Sequence, residues 1–292
     1  MKLISYTKLG IILSILSILA GAFVRATGSG DGCGSTWPTC KGKIIPQLSD
    51  PSEVIEFSHR SISGILLIVT LIIFIKSRNM SKGTLVRTTV NFLTFFVVFE
   101  AAIGAVIVLY EWVGLNSSLP RIIAVPIHLV NTFGLLACYA VLYKVLLNNF
   151  KNIKQLWDRR FVFVAFLFLL SGATGSITAL ADVLFPSASF YEGLMEDFDR
   201  TSELLTRLRI LHPIVATGLS VALIIESRKI QKDYKIDVKF LQLLVIVAVT
   251  LGVLNVLSNI VLLLSIFHLA IADLLWITYI YVSMDKIKIN QQ

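Results

Sequence analysis

Eight long runs of mostly apolar residues dominate this sequence of 292 residues and constrain its fold more than any other feature. A helix needs about 20 predominantly apolar residues to cross a bilayer, and each run comes close to or exceeds that length. Because an open sheet edge cannot satisfy its backbone groups in lipid, the runs predict an all-α, polytopic membrane protein with eight transmembrane helices. The runs are Leu9–Thr27, Phe57–Lys76, Thr89–Tyr110, Ile122–Leu147, Phe161–Ala181, Leu208–Ile225, Phe240–Leu257 and Ile260–Met284.

The composition excludes other classes of protein. Hydrophobic residues make up 56% of the chain and charged residues only 15%, whereas soluble domains carry about 25% charged residues. A soluble globule, a disordered chain and a disulfide-dense secreted module are therefore excluded. Only Ser258 and Asn259 separate the last two runs, which predicts a tight antiparallel helix pair.

The positive charge is better explained by membrane orientation than by nucleic acid binding. The net charge is +8, but 18 of the 26 Lys and Arg residues fall in clusters at one set of helix ends. The positive-inside rule assigns that face to the cytoplasm, with both chain termini on it. We expect membrane lipid around the chain and no nucleic acid partner. The clusters are Lys2–Lys8, Lys76–Arg87, Lys144–Arg160, Arg228–Lys239 and Lys286–Lys288.

The first apolar run has an alternative interpretation as a signal peptide, since Ala20-Gly21-Ala22 resembles a cleavage site. Removing it would leave seven spans and break the internal pairing described next. We therefore expect an uncleaved first helix.

The four histidines of the chain indicate an internal repeat. His59, His128, His212 and His268 lie near the outer ends of the second, fourth, sixth and eighth runs. Their contexts also match in pairs, as in Ile-His-Leu around His128 and Phe-His-Leu around His268. We predict two pseudo-symmetric four-helix bundles related by an axis along the membrane normal, residues 1–147 and 161–292, joined by a cytoplasmic linker at 148–160.

Paired histidines inside a helical bundle are typical of haem proteins, because two facing imidazoles serve as axial ligands of the iron. A single histidine at a helix end can equally bond a carbonyl or water. Four at one depth, two in each half, favour two haem sites. Zinc is a competitor, but it needs a third or fourth ligand, and neither half offers Cys or His nearby beyond its pair.

An outer loop carries Cys33 and Cys40 on either side of Trp37-Pro38. On an oxidising face the two cysteines are expected to form a disulfide. The sequence leaves open whether that bond is a structural cross-link or redox-active. A zinc ligand pair is disfavoured by the spacing. Cys138 lies within the fourth run and is expected to pack as a small apolar residue.

Charged residues near the histidines are candidates for chemistry. Glu56 lies one helical turn before His59, so its carboxylate is expected beside any group that His59 binds. Its alternative role is an i,i+4 ion pair with Arg60. Arg207 and Arg209 precede His212 and could bind haem propionates or anchor the helix at the headgroups. Glu100 and Asp273 lie within the third and eighth runs and receive no catalytic role.

These residues resemble those of the haem A synthases of aerobic bacteria and mitochondria. The resemblance covers essentially the whole chain and is closest to the bacterial form with paired cysteines. The matching segments are Gly21–Gly30, Cys33–Cys40, Glu56-x-x-His59-Arg60, Ile127–Thr132, Arg207–Pro213 and His268–Trp276.

The resemblance implies an enzyme that oxidises the methyl group at ring position 8 of haem O to a formyl group by two successive hydroxylations, giving haem A for terminal oxidases. It implies haem b as cofactor, with His212 and His268 as axial ligands in the C-terminal half. His59 and His128 would bind the substrate haem, with Glu56 as the catalytic residue near the reacting methyl.

The resemblance also implies a bacterial plasma membrane location with the cysteine loop outside, where Cys33 and Cys40 would exchange electrons or order the loop. Haem O synthase, a quinol or thiol electron donor and a second copy of the chain are the implied partners.

The main alternative is a non-catalytic di-haem cytochrome b that passes electrons from quinol. It explains the four histidines but needs neither Glu56 nor the cysteines. A quinone-linked thiol oxidase would leave the histidines unused, and a transporter built from repeats predicts broken helices near mid-membrane.

Overall fold

A computed structural model describes residues 2–47, 49–148, 150 and 152–290. Within these ranges the secondary structure is helical, apart from an isolated β-bridge between Cys40 and Lys43. Lys151, in the third basic cluster, lies outside the described residues. The α-helices that carry the argument are α1 (Leu3–Ala26), α2 (Pro51–Ser77), α3 (Leu85–Leu109), α4 (Leu119–Asn148), α5 (Arg159–Leu184), α6 (Phe190–Phe198), α7 (Leu204–Leu208), α8 (Leu211–Tyr234), α9 (Lys239–Leu257) and α10 (Leu262–Asn290).

Eight helical segments of the described chain are long and apolar enough to cross a membrane, which confirms the predicted all-α, multi-pass architecture. They are α1 to α5, α7 together with α8, α9, and α10. The last two are separated by a turn in which Asn259 and Ile260 have positive φ angles of 57° and 61°.

Several helices begin before the apolar runs because polar residues cap them. Asp50 accepts hydrogen bonds from the backbone amides of Ser52 and Glu53, ahead of Pro51 at the first helical position. Asp158 accepts from the amides of Arg160 and Phe161 at the start of α5. Such caps satisfy amide groups that a helix leaves unpaired at its N-terminus.

The loop between the fifth and sixth spans, which the sequence presented as polar and acidic, contains the short helices α6 and α7. The Ser189 side chain caps α6 by accepting from the amide of Glu192. The exposed side chains of Tyr191, Met195 and Phe198 give α6 an apolar surface. A helix of this kind suits the interface between lipid and water.

The contacts between the two predicted halves involve α1, α4, α5 and α10. α4 packs against both α5 and α10, while α1 packs against α10 and, less extensively, α5. At the centre, the indole nitrogen of Trp276 donates to the carbonyl of Phe133 at 3.0 Å, and its ring lies 4.7 Å from that of Phe168. The halves therefore share a continuous aromatic and aliphatic core.

Candidate functional site

The histidines of α8 and α10 face each other. The ring centres of His212 and His268 are 6.2 Å apart, and their planes are nearly perpendicular at 86°. Nδ1 of His212 lies 3.1 Å from the carbonyl of Ser171, and Nδ1 of His268 lies 3.0 Å from the carbonyl of Ala248. A carbonyl can only accept, so each Nδ1 carries the proton and each Nε2 keeps its lone pair for a ligand.

This spacing fits a haem iron. A histidine nitrogen binds a metal at about 2 Å, and the ring centre lies about 1.1 Å beyond it, so two axial ligands place their ring centres about 6 Å apart. The hydrogen bonds at Nδ1 are the outer contacts that metal-binding histidines ordinarily make. In the described chain no group of three or more His, Cys, Asp or Glu residues has the arrangement of a metal site.

The other two histidines, His59 and His128, lie on α2 and α4. Nδ1 of His128 lies 3.3 Å from Oε1 of Glu100 on α3. Nδ1 of His59 has no hydrogen-bond partner among the described residues. The pairing of His59 with His128 at one haem stays a prediction.

Each histidine lies over a glycine of the preceding span. A Cβ built on Gly21, Gly175 or Gly252 would lie 3.0, 2.9 or 3.2 Å from Cε1 of the facing imidazole. The glycines face His59, His212 and His268, respectively. Gly104 faces His128 more loosely, with the corresponding distance at 3.9 Å. The absent side chains leave the space that the imidazole rings occupy.

Glu56 is tied to the cysteine loop. Its side chain is buried, with 3% of the residue's surface exposed, and it forms an ion pair with Arg60. The amide of Cys33 donates to Oε2 of Glu56 at 2.8 Å. Arg60 in turn donates to the carbonyls of Thr36 and Thr39. The ion pair that the sequence offered as an alternative role for Glu56 is therefore present.

The cysteine loop is closed by a disulfide between Cys33 and Cys40, as predicted, and both residues are buried. Lys41 adds a second link, because its ammonium group pairs with the Glu53 carboxylate of α2. That contact raises the pKa of Lys41. The loop is thus attached to the start of α2 through both Glu53 and Glu56.

The two arginines that precede His212 have different surroundings. Arg209 is buried and pairs with Asp182, Glu196 and Asp197 at 3.5, 3.1 and 2.8 Å. Burial raises the pKa of Asp197 despite the guanidinium beside it. Arg209 therefore anchors α6 to the end of α5, whereas Arg207 is exposed. The exposed guanidinium of Arg207 is the one of the two that is free of these three carboxylates, and a propionate contact at Arg207 stays a prediction.

Sequence reasoning missed Glu100 and the four glycines as parts of the site. Glu100 accepts hydrogen bonds from Asn131, at 2.5 Å, and from Thr132 of α4. The signal for Glu100 was present, because an ionisable residue inside a span is costly and usually functional. The glycines gave no signal by themselves, since small residues are common between membrane helices.

The fold and the site together define a class: a membrane protein with eight spans in its described residues, in which two histidines of the C-terminal half face each other at 6.2 Å. The family model described as cytochrome oxidase assembly protein matches residues 5–54 and 49–280, and the chain belongs to that family.

Curated relatives agree with the sequence resemblance. The chain is 25% identical over 287 residues to the heme A synthase of Staphylococcus aureus strain MSSA476, covering 94% of this chain and 91% of the relative. It is 39% identical over 102 residues to the heme A synthase of Shouchella clausii, 34% of each protein. It is also 31% identical over 290 residues to a protoheme IX farnesyltransferase of Thermus thermophilus, covering 96% of this chain and 48% of the relative. The chain therefore spans about half the length of the Thermus relative.

Proposed function

We propose that this protein is a haem A synthase that converts the ring-position-8 methyl group of haem O into a formyl group. The observation that carries the proposal is the facing pair His212 and His268, whose ring centres are 6.2 Å apart. A relative that covers 94% of this chain is named heme A synthase. A formyl group replaces a methyl by a net four-electron oxidation of the carbon. In each of two hydroxylations the methyl carbon would take one oxygen atom from dioxygen, while two electrons from the donor and two protons reduce the other oxygen atom to water. The resulting gem-diol loses one water to give the formyl group.

The two histidine pairs have separate roles in this proposal. We assign the C-terminal half, residues 161–292, to the haem b cofactor with His212 and His268 as axial ligands. The N-terminal half, residues 1–147, binds haem O through His59 and His128. The four histidine–glycine contacts support treating the halves as structural repeats joined by residues 148–160.

The chain positions the substrate and controls its surroundings. When bound, haem b supplies a one-electron redox centre. His59 and His128 hold the iron of haem O, which fixes the orientation of the ring. Glu56 holds a negative charge or moves a proton at the outer end of the same half, and Arg60 together with the Cys33 amide fixes its carboxylate. Such a fixed charge acts strongly where water is excluded.

The substrate proposal has support from the relatives. The name of the Thermus relative describes farnesyl transfer to protoheme IX, and the product of that transfer is a farnesylated haem. A neighbouring enzyme of this kind, a haem O synthase, would supply the substrate. A quinol or thiol is the proposed electron donor, and the loop closed by Cys33 and Cys40 contacts Glu56 through the Cys33 amide.

We further propose the orientation predicted from the basic clusters. Both chain termini and the linker face the cytoplasm of a bacterial cell, and the cysteine loop lies outside the plasma membrane. The acidic loop that contains α6 lies on the same outer face as the cysteine loop.

The test is a chromatographic haem profile of the protein purified after co-expression with a haem O source. Haem A in the extract supports the synthase. Haem b without haem A favours the di-haem cytochrome, and an extract without haem contradicts both. A His59→Ala variant is the matched control, since it should lose haem A production while retaining haem b at His212 and His268.

A further inference from the structure

The surroundings of Nδ1 distinguish His128 from the two histidines of the C-terminal half. His212 and His268 point Nδ1 at the carbonyl of the residue four positions before the glycine they face. Those residues are Ser171, before Gly175, and Ala248, before Gly252. Ser17 occupies the same relative position before Gly21, which faces His59, but Nδ1 of His59 has no hydrogen-bond partner among the described residues. At His128 that position is Glu100, and the carboxylate side chain replaces the carbonyl.

Glu100 is held in place by α4. Asn131 donates to Oε2 at 2.5 Å, and the Thr132 hydroxyl donates to Oε1. Asn131 also donates to the carbonyl of Phe96 at 2.9 Å, which fixes the amide. Because the hydroxyl and amide are donors, Glu100 presents an acceptor oxygen to His128. Nδ1 of His128 lies 3.3 Å from Oε1 of Glu100 and has no hydrogen-bond partner among the described residues, so this carboxylate is the acceptor beside it.

The corresponding positions of the C-terminal half are apolar. Ala248 lies four residues before Gly252, as Glu100 does before Gly104. Ile271 and Ala272 follow His268 by three and four residues, as Asn131 and Thr132 follow His128. The polar cluster of Glu100, Asn131 and Thr132 is therefore a feature that separates the two otherwise similar histidine pairs.

We propose that Glu100 is a positioning residue that gives His128 an anionic hydrogen-bond acceptor and so makes the N-terminal iron site more favourable to ferric haem than the C-terminal site. This inference rests on the proposed function, which places haem O at His59 and His128. A carboxylate that accepts from Nδ1–H increases the electron donation of Nε2 to iron. More donation stabilises the ferric state over the ferrous state. Glu100 alone would thus give the substrate haem and the cofactor haem different midpoint potentials.

The expected change in midpoint potential can be estimated from other metal sites, in which a second residue hydrogen-bonds to a metal-binding histidine. Their loss typically reduces metal affinity by about 10- to 100-fold. If Glu100→Gln weakens ferric haem binding about tenfold relative to ferrous haem, the midpoint potential of the N-terminal site rises by about 59 mV, the one-electron equivalent of a factor of ten.

The experiment uses the full-length chain in detergent, titrated with iron protoporphyrin IX. A His212→Ala background removes the C-terminal site, so the bis-histidine spectrum reports the N-terminal site alone. We expect Glu100→Gln to raise its midpoint potential and to shift the g-values of the ferric electron paramagnetic resonance spectrum. Glu226→Gln is the matched control, because Glu226 is a buried carboxylate near Arg160 and Lys286, and we expect no shift from it.

A second variant tests whether the shift in midpoint potential comes from the charge of Glu100 or from the packing around it. Thr132→Val removes a donor to Glu100 but keeps the carboxylate, so its shift should be much smaller than that of Glu100→Gln. An unchanged potential in Glu100→Gln, or an equal shift in Thr132→Val, overturns the inference about Glu100. Failure of the His212→Ala protein to bind iron protoporphyrin IX with a bis-histidine spectrum instead contradicts the haem site assigned to the N-terminal half, and with it the proposed function.

Discussion

The amide of Cys33 donates a 2.8 Å hydrogen bond to Oε2 of Glu56. This contact joins the disulfide loop to the carboxylate that lies one helical turn before His59. Arg60 completes the unit, since it pairs with Glu56 and donates to two carbonyls of the loop. A change in the loop is therefore expected to reach the Glu56 carboxylate directly.

Glu56→Gln should abolish haem A formation while leaving haem b bound at His212 and His268. The change keeps the shape of the side chain and removes its charge and proton exchange, which are worth about 10²-fold or more in rate when a carboxylate acts as acid or base. The measurement is the haem profile of cells carrying the variant, in which haem O or a hydroxylated intermediate should accumulate.

Glu53→Gln is the control for this variant, because Glu53 is also buried and pairs with Lys41 of the same loop. It should retain haem A. A near wild-type level of haem A in cells that carry Glu56→Gln would show that Glu56 is only a structural partner of Arg60.

Thiol labelling should find Cys33 and Cys40 oxidised to one another in protein isolated without reductant. Both are buried and joined in the structure, so a maleimide should react with Cys138 alone, and only after unfolding. Mass spectrometry of the labelled peptides reports the sites. Modification of Cys33 in native, untreated protein would contradict the disulfide.

His212→Ala and His268→Ala should each lose tightly bound haem b while the protein still inserts into the membrane. In the proposed site two helices would share the iron, so removal of either imidazole should change the spin state of the iron and weaken haem binding. Absorbance spectra of the purified variants test this. A normal low-spin haem b spectrum in both variants would show that the cofactor lies elsewhere.

Gly175→Ala should reduce haem loading at His212, because the added methyl would lie 2.9 Å from Cε1 of the imidazole and must displace it. Gly252→Ala, at 3.2 Å from His268, should have a smaller effect. Gly218→Ala is the control, since no atom lies within 4 Å of its built Cβ. The measurement is haem per chain, and equal loading in all three variants would mean that the glycines do not set the position of the rings.

Single cysteines should report the orientation of the chain. A membrane-impermeant maleimide applied to intact cells should label Ile44→Cys in the exposed cysteine loop and spare Lys82→Cys in the basic loop between α2 and α3. Labelling of both after permeabilisation is the control for accessibility. The reverse pattern would place the basic clusters outside and contradict the orientation.

The sequence alone was sufficient to predict the eight spans, the disulfide and the meeting of His212 with His268. Each apolar run is a local feature, and its length relative to the bilayer decides the structure whatever its neighbours do. The histidines were recognisable because ionisable residues are rare within spans. The short helix α6 was missed because it is only nine residues long and lies in a polar segment without a span-length apolar run.

Only the tertiary structure decided which groups meet. Arg209 pairs with Asp182, 27 residues earlier, and this contact depends on how α5, α6 and α7 pack. Glu100 and His128 are brought together by the rotation of α3 against α4, and the four glycines become sites for imidazole rings only when the helices stand side by side. Helix formation is governed by local residues, whereas helix rotation and spacing depend on side-chain packing between elements that are distant in sequence.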